Sequence, residues 1–456
     1  MITSPAFAGK RYAVLGLARS GAAAAEALLA SGAEVIAWDR QPHAREPFEG
    51  RCRMIDPLEL DLTGFAGVVV SPGVPLNSHP IGPHVWQYGL PVIGDIELFA
   101  MARDALPQHK VVGITGTNGK STTTALVHHI LQTAGVPTVM GGNIGDPVLG
   151  QEPLPDGGVY VLELSSFQID LTFTLDCDVA ALTNITPDHL DRYASFAAYA
   201  ASKERLFQMQ HTGTALICVE DEQTIAIAEG LETSGKLLVR VKTGDLAAAG
   251  LAEGRSPSLA GPHNAQNAAV AVAICRQLGL ADAQIAEGLA SYRGLPHRME
   301  RVCDAGGVIY INDSKATNAA SAAPALAAFP PDPDVNGGAP RIHWIVGGLP
   351  KEDGLGACAD HLGNVAAAYT VGEAGPMFAD LLEGQVRVER CELISEAVRR
   401  AAEAARPGDV VLLSPACASY DQFRDYEKRG HHFSQMVRAI TGCDAGPDEA
   451  GRSILP

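Results

Sequence analysis

The sequence predicts an α/β protein of three consecutive domains, each a mostly parallel sheet covered on both faces by helices. Two observations carry this. Short apolar runs alternate with longer helix-like stretches along most of the chain, the pattern that a parallel sheet with crossover helices leaves in a sequence. At about 150 residues per domain, 456 residues allow three, each able to bury its own core. With 46% hydrophobic and 19% charged residues, the composition is that of a folded globular chain.

The first domain is expected over residues 1–105. RYAVLGL (11–17) reads as a strand, the Ala-rich stretch 20–31 as a helix and AEVIAWD (33–39) as a second strand, which together make a βαβ unit. AGVVVSPG (66–73) adds a buried strand that ends in turn residues. The second domain, 106–301, begins with the strand KVVGIT (110–115), a Gly-rich turn and the helix-like STTTALVHHILQTAG (121–135). Strands at 159–164, 178–184 and 214–219 follow, with helices near 196–208, 264–279 and 282–291, and RGLPHRMERV (293–302) reads as a hinge. The third domain, 302–456, alternates again: strands at 308–313, 342–348, 365–372 and 409–415, with helices up to 328 and at 393–405. PPDPDVNGGAP (330–340) reads as a surface loop and 441–456 as a frayed tail.

A formal net charge of −18 repels phosphate polymers and anionic lipid, so neither nucleic acid nor a membrane surface is expected as a partner. Any anionic small substrate must be held by local cations and by backbone amides at helix starts. The nine cysteines are scattered and never spaced C-x-x-C, which predicts reduced thiols and no zinc site. No export signal opens the chain and no run approaches the roughly 18 apolar residues of a membrane span, so a cytoplasmic location without membrane insertion is expected.

The strongest chemical signal is G-T-N-G-K-S, Gly116 to Ser121, between an apolar strand and a helix. Such a turn aims backbone N–H groups and the positive end of the helix dipole at phosphate, Lys120 adds a point charge, and Ser121 suits Mg²⁺. The spacing departs from the usual P-loop, because Ile114 stands where the first glycine belongs. VYVLE (159–163) delivers Glu163 at a neighbouring strand end, as P-loop sites do for their metal; without that context it is an exposed acid. NITPDHLDRY (184–193) should leave the same sheet edge, where His189 reads as an orienting group or as a solvated turn residue. Lys203, taken alone, is an ordinary helix lysine. In the first domain Gly16 and Gly21 without a glycine at 14 give a weak dinucleotide signal, yet Asp39 ends the second strand where a ribose or base could bond to it. NDSKATN (312–318) and SPACASYDQF (414–423) both follow strands. They gather groups suited to a small zwitterion, and equally to helix capping, while Cys417 reads as a small buried residue.

The ordered set G-T-N-G-K-S, ELSSFQ, DHLDRY, S-K-E-R, PHNAQN, LPHRME, NDSKATN and SPACASYDQF, spanning about residues 10–435, resembles the Mur ligase family. NDSKATN points to the members that take D-glutamate. The resemblance implies a Rossmann-like first domain for a UDP substrate, a central P-loop-type ATPase domain and a Rossmann-like C-terminal domain for the amino acid. It implies a monomeric ligase of peptidoglycan precursor synthesis that joins D-glutamate to UDP-N-acetylmuramoyl-L-alanine through an acyl phosphate, with ATP and Mg²⁺ at two sites. It assigns Leu17, Ala18, Asp39, Arg40, Ser71, Pro72, Gly73, Asn143 and Ser165 to the UDP substrate. Ala18 lacks the side-chain contact of members that carry Thr. Gly116, Thr117, Asn118, Gly119, Lys120, Ser121, Thr122, Asn264, Asn267, Arg298 and Asp313 go to ATP, and His189, Lys315, Thr317, Lys351, Ser419 and Tyr426 to D-glutamate. Lys120, Glu163, His189 and Lys203 are implied as the catalytic set. Ser121, Glu163, His189 and Lys203 are implied as the metal shell, Lys203 as an N6-carboxylysine whose carbamate supplies a carboxylate-like ligand. A folylpolyglutamate synthetase is the rival reading, against which the domain ahead of the P-loop argues. A regulatory protein whose P-loop only switches conformation is another, and the two acceptor-like strand ends argue against it.

Overall fold

The computed structural model describes residues 1–189, 192–252, 256–350 and 353–443, and their strands form three sheets. The first contains β1 (Arg11–Leu15), β2 (Glu34–Trp38), β3 (Arg53–Met54), β4 (Gly67–Val70) and β5 (Val92–Ile93), all parallel in the order β3-β2-β1-β4-β5. The winding direction reverses between β1 and β4, so a crevice opens beyond their C-terminal ends. The helix Arg19–Ala30 leaves the first of these ends and buries Ala24, Ala25, Ala27 and Leu28. Its small residues let it approach the sheet closely, and a Cβ on Gly21 would run into the Gly16 carbonyl.

The second sheet contains β6 (His109–Thr115), β7 (Thr138–Gly142), β8 (Gly158–Glu163), β9 (Val179–Leu182), β10 (Thr214–Cys218) and β11 (Leu238–Val241). It too is parallel, in the order β11-β10-β9-β6-β8-β7, with β6 between β8 and β9. One apolar core joins these two sheets: Tyr12, Val14, Ile96 and Phe99 pack in the same cluster as Val111, Tyr160 and Leu162, the Phe99 and Tyr160 rings 5.0 Å apart.

The third sheet contains β12 (Glu300–Ala305), β13 (Val308–Asn312), β14 (Ile342–Gly347), β15 (Val365–Val371), β16 (Arg387–Glu392) and β17 (Val410–Leu413), in the order β12-β13-β17-β14-β15-β16. It is parallel apart from the β12–β13 hairpin. That hairpin turns on Gly306 and Gly307, both at positive φ, as a two-residue turn between twisted strands requires. Core clusters lie on both faces, one around Trp344, Phe378 and Leu412, the other around Tyr369, Leu413 and Phe433. By compactness the chain divides into two units: Met1–Glu253 with Gln266–Leu289, holding the first two sheets, and Gly254–Ala265 with Ala290–Pro456, holding the third.

The α/β class and parallel sheets agree with the sequence reading, and several local expectations change. The segment expected as a hinge at 293–302 runs into β12, whose mixed E-R-V-C-D-A pattern gives no clear strand signal because it pairs at a sheet edge. Within 330–340 a single helical turn, Pro333–Asn336, forms where Asp332 accepts from the Asp334 N–H at 2.9 Å. The expectation of wholly reduced thiols is corrected at one pair: Cys303 and Cys443 are joined as a disulfide, which spacing 140 residues apart could not suggest. The other seven cysteines are free, with Cys177 and Cys218 thiols pushed up to about 12 by burial. No helix of the described residues is long and apolar enough to cross a membrane.

Burial pulls the His128 imidazole down to about 4, with the adjacent His129 charge acting the same way. The unfolded chain therefore takes up this proton first, near the ordinary histidine value of about 6.5. Stability that is present above about pH 6.5 is lost as pH falls toward 4. The difference in urea midpoint between wild type and His128→Asn is expected to shift against the wild type across that window. A difference constant from pH 7 to 4 would contradict it.

Candidate active site

In the first unit a cleft of about 420 Å³ opens where β1 and β4 end, lined by Gly16, Ala18, Asp39, Ser71, Asn143 and Gln168 among others. Gly16 sits at φ +90°, and the Ser71 hydroxyl donates to its carbonyl at 2.9 Å, which binds the two strand ends together. Asp39 accepts from the Leu17 N–H at 2.6 Å and the Gln41 N–H at 2.8 Å, so this carboxylate shapes the turn and offers only its remaining lone pairs to a ligand. Ala18 is the N-cap of the helix Arg19–Ala30 and makes no side-chain cap. The helix start that faces the cleft therefore relies on backbone N–H groups. Pro72 and Gly73 line the cleft, while Arg40 is exposed beside Asp39. Arg19, which the sequence reading passed over, also lines it and donates to the Gly145 carbonyl.

The G-T-N-G-K-S turn lies between β6 and the helix Lys120–Thr133. Gly116 and Gly119 adopt φ +149° and +81°, and added Cβ atoms would strike Thr183 Oγ1 and Asn267 Oδ1. Both glycines are thus required by close approach as well as by backbone angle. The strand end after β9 braces the loop: Thr117 N–H donates to the Asn184 carbonyl at 2.8 Å, Asn118 N–H to Asn184 Oδ1 at 2.9 Å, and Thr183 Oγ1 to the Asn118 carbonyl at 2.7 Å. Ser121 and Thr122 lie in the first helical turn, whose N–H groups lack intrahelical partners.

Lys120 Nζ donates to the Gly116 carbonyl at 2.9 Å and the Thr117 carbonyl at 2.8 Å, and Lys203 Nζ donates to the same Gly116 carbonyl at 2.7 Å. Two ammonium groups converge on one carbonyl. Lys203 is 1% exposed, on the helix Phe196–Gln208 with its Nζ 4.6 Å from the Tyr199 ring centre. Burial, then the Lys120 charge, pulls it down to about 7. Glu163, also 1% exposed, ends β8; its Oε1 accepts from Asn143 Nδ2 at 2.8 Å, and its Oε2 has no hydrogen-bond partner among the described residues. Asn143 therefore belongs both to the cleft wall and to the carboxylate beside the phosphate loop. Ser165 caps the helix Ser166–Asp170 in a capping box with Gln168. His189 is exposed at φ +52°, its ring 4.9 Å from Phe167 and 6.1 Å from Tyr199, whose hydroxyl lies 3.2 Å from Thr117 Oγ1.

This donor set suits a divalent cation of the Mg²⁺ kind. A buried carboxylate oxygen without a hydrogen-bond partner among the described residues lies at the end of β8, which pairs with β6, the strand that leads into a hydroxyl-bearing helix start. Mg²⁺ takes one or two carboxylates and completes its shell with phosphate oxygens and water. Among the described residues no group of three or more His, Cys, Asp or Glu side chains forms a metal cluster.

The second unit carries the strand ends after β13 and β17. Asp313 accepts from Ser414 Oγ at 2.8 Å and the Met299 N–H at 3.2 Å, and burial pushes it up to about 7, with the Arg298 and Arg429 charges opposing. Lys315 is exposed, its Nζ 5.4 Å from the Tyr426 ring centre, and its N–H donates to the His297 carbonyl at 2.9 Å. Thr317 is partly buried in the same turn, and Ser419 is buried in the other. The structure adds Arg429, which no spacing in the sequence signals. It is fully buried and donates to Ser314 Oγ and carbonyl (3.0 and 2.8 Å) and to the Cys417 and Ala418 carbonyls (3.0 and 3.1 Å), tying the two strand-end turns together. Asn264 donates to the Ser258 and Ala260 carbonyls, in the second unit, whereas Asn267 belongs to the first. Lys351 lies outside the described residues.

Comparison with known proteins bears on this geometry. The Mur ligase middle domain matches residues 114–275, and the Mur ligase glutamate ligase domain matches 297–417. A UDP-N-acetylmuramoylalanine–D-glutamate ligase of Novosphingobium aromaticivorans is 62% identical over 442 residues, covering 96% of this chain and 97% of that one. The chain belongs to the Mur ligase family. The protein of the same name from Sphingopyxis alaskensis is 59% identical, covering 96% of this Mur ligase and 100% of its own length. Among solved structures, UDP-N-acetylmuramate-alanine ligase from Thermotoga maritima shares the fold at TM-score 0.53 and 18% identity, covering 94% of this Mur ligase and 99% of that chain. A UDP-N-acetylmuramoyl-L-alanyl-D-glutamate–2,6-diaminopimelate ligase does so at TM-score 0.54 and 18% identity, covering 95% and 93%.

Proposed function

We propose that this Mur ligase joins D-glutamate to UDP-N-acetylmuramoyl-L-alanine at the expense of ATP, releasing ADP and phosphate, in peptidoglycan precursor synthesis. The names of its relatives support the substrate pair, and one geometric observation supports the site. Asn143 lines the cleft and bonds to Glu163 beside the phosphate loop, so a substrate in the cleft extends along one wall toward the γ-phosphate position. In this reading residues 1–105 serve the UDP substrate, 106–301 ATP and 302–456 the amino acid. The enzyme acts as a monomer in the cytoplasm, where its nucleotide substrates are.

The mechanism follows from charge. Gly116 to Thr122 cradle the phosphates through backbone N–H groups, and Lys120 sets a cation against the outer ones. Asn267 lies against Gly119 at the base of the loop, and Asn264, Arg298 and Asp313 are the further residues assigned to the nucleotide. Glu163, Ser121, His189 and Lys203 would hold Mg²⁺, which when bound would neutralise charge on the phosphoryl oxygens. Lys203 enters that shell as a carbamate: a buried amine near neutrality attacks CO₂ and releases one proton, and the resulting anion removes the clash of two ammonium groups on the Gly116 carbonyl. The alanyl carboxylate of the substrate, held by Asn143 and Ser165 below a UDP group on Leu17, Ala18, Asp39, Arg40, Ser71, Pro72 and Gly73, takes the γ-phosphoryl group to give an acyl phosphate. The amine of D-glutamate, whose carboxylates meet Lys315, Lys351, Thr317, Ser419 and the backbone at Tyr426, attacks that carbonyl. His189 positions the amine. The tetrahedral intermediate expels phosphate, the attacking nitrogen gives up one proton to the departing phosphate or to water, and the amide remains.

The test is phosphate release from ATP with UDP-N-acetylmuramoyl-L-alanine and, in turn, D-glutamate, L-glutamate, L-lysine, meso-diaminopimelate or no amino acid, with the product weighed by mass spectrometry. Release with D-glutamate alone and the mass of the amide are expected. Turnover with another amino acid would retain the chemistry and overturn the acceptor.

A further inference from the structure

The helix Asp95–Ala102 places two acids in its first turn, Asp95 and Glu97, both buried. Both address the segment that follows β8. Glu97 accepts from the Phe173 and Thr174 N–H groups at 2.7 and 2.9 Å and from the Thr174 hydroxyl at 2.8 Å, and Gly94 N–H donates to the Leu171 carbonyl at 2.9 Å. The far end of the segment is thereby pinned. Asp95 faces its near end, at the Gln168 carboxamide. Asp95 is 2% exposed, and neither carboxyl oxygen has a hydrogen-bond partner in geometry among the described residues.

Gln168 lines the cleft. Its Oε1 is engaged by Ser165, by the N–H at 3.2 Å and the hydroxyl at 3.0 Å, which leaves its amide –NH₂ as the end that can face a carboxylate. Burying an acid this deeply costs stability: burial pushes Asp95 up to about 6, outweighing the Ile96 N–H, its own N–H and the Gln168 carboxamide, which act the other way. A leucine of similar size would avoid that cost. A costly group one residue behind the cleft wall is the mark of a functional constraint.

We propose that Asp95 is a positioning residue for the UDP-linked substrate: it orients the carboxamide of Gln168, the cleft-lining residue that Ser165 also holds, so that Gln168 presents a fixed polar wall to that substrate. This rests on the cleft being the site of that substrate. Asp95 touches no reacting atom. Its effect belongs in binding of the one substrate and not in the chemical step.

The experiment compares wild type with Asp95→Leu, Asp95→Asn, Gln168→Met and the Asp95→Leu, Gln168→Met double variant. KM for each of the three substrates, kcat, calorimetric Kd for UDP-N-acetylmuramoyl-L-alanine alone and melting temperature are measured. Asp95→Leu is expected to raise KM and Kd for the UDP substrate about tenfold, leave the ATP and D-glutamate KM values within about twofold, and melt no lower than wild type. Asp95→Asn, which keeps an acceptor, should recover most of the affinity. In the Gln168→Met background the leucine should have no further effect, because the group it positions is gone. An unchanged UDP-substrate Kd in Asp95→Leu with normal wild-type turnover would overturn the proposal. So would a parallel rise in all three KM values with a lower melting temperature, which marks a structural role. A wild type that neither binds the UDP substrate nor ligates D-glutamate would sink the functional reading itself, and this proposal with it.

Discussion

Lys203→Ala is expected to lower kcat by about 100-fold or more while leaving the melting temperature close to that of the wild type. An exposed helix lysine would give no such loss. The difference lies in its environment: Lys203 is buried, donates to the Gly116 carbonyl beside Lys120, and is pulled down to about 7. Near pH 7 roughly half of such an amine is neutral, against fewer than about one in a thousand for a lysine of ordinary pKa. Neutral amine is the form that attacks CO₂. Wild-type turnover should therefore fall when the enzyme is held under CO₂-free buffer, recover with bicarbonate, and recover less completely as the pH is lowered through 7. The variant should ignore bicarbonate. Bicarbonate-independent turnover in the wild type, with no CO₂-sized mass addition at Lys203, would remove the carbamate while leaving the P-loop reading intact.

The second large effect is expected at Glu163. Glu163→Gln keeps the oxygen that accepts from Asn143 Nδ2 and replaces the unpartnered Oε2 with an amide –NH₂, so shape and the bond to the cleft wall persist while the negative charge is lost. A group that exists to hold a cation should then fail in two measurable ways: kcat drops about 100-fold, and the Mg²⁺ concentration for half-maximal rate rises. KM for the UDP substrate should move little. Stability should hold or increase, because a buried carboxylate with one oxygen unpartnered is expensive. A variant that loses stability and keeps its Mg²⁺ dependence would show instead that Glu163 is a structural partner of Asn143.

The parts of the site that were legible in the sequence are those built from contiguous residues. The turn from Gly116 to Ser121 could be read because the chemistry of a phosphate loop needs a strand, glycines and a helix start in immediate succession. Glu163 and Asp39 could be read as strand ends, and NDSKATN and SPACASYDQF as turns leaving strands. The less legible parts depend on segments far apart in the chain. Arg429 sits in a helix with no unusual spacing, yet it reaches turns more than a hundred residues upstream at Ser314 and beside it at Cys417. Asn184 and Thr183 brace the phosphate loop across 65 residues or more, and Tyr199 is simply an aromatic residue of an amphipathic helix until its ring is found beneath Lys203. Edge strands such as Arg53–Met54 and Val92–Ile93 are too short for any periodicity to show.

By itself the sequence determined the α/β class, the place of the phosphate loop and, through motif resemblance, the family. Hydrophobic period and motif order are local properties, and they persist in any conformation the chain adopts. Tertiary structure decided which charges meet. That Lys203 shares a carbonyl with Lys120, that Glu163 keeps an unpartnered oxygen while Asn143 links it to the cleft, and that Asp95 stands buried behind Gln168 all depend on strand order and burial. Coulomb and desolvation energies are set by distance and by the exclusion of water, and neither quantity exists until the sheets have assembled.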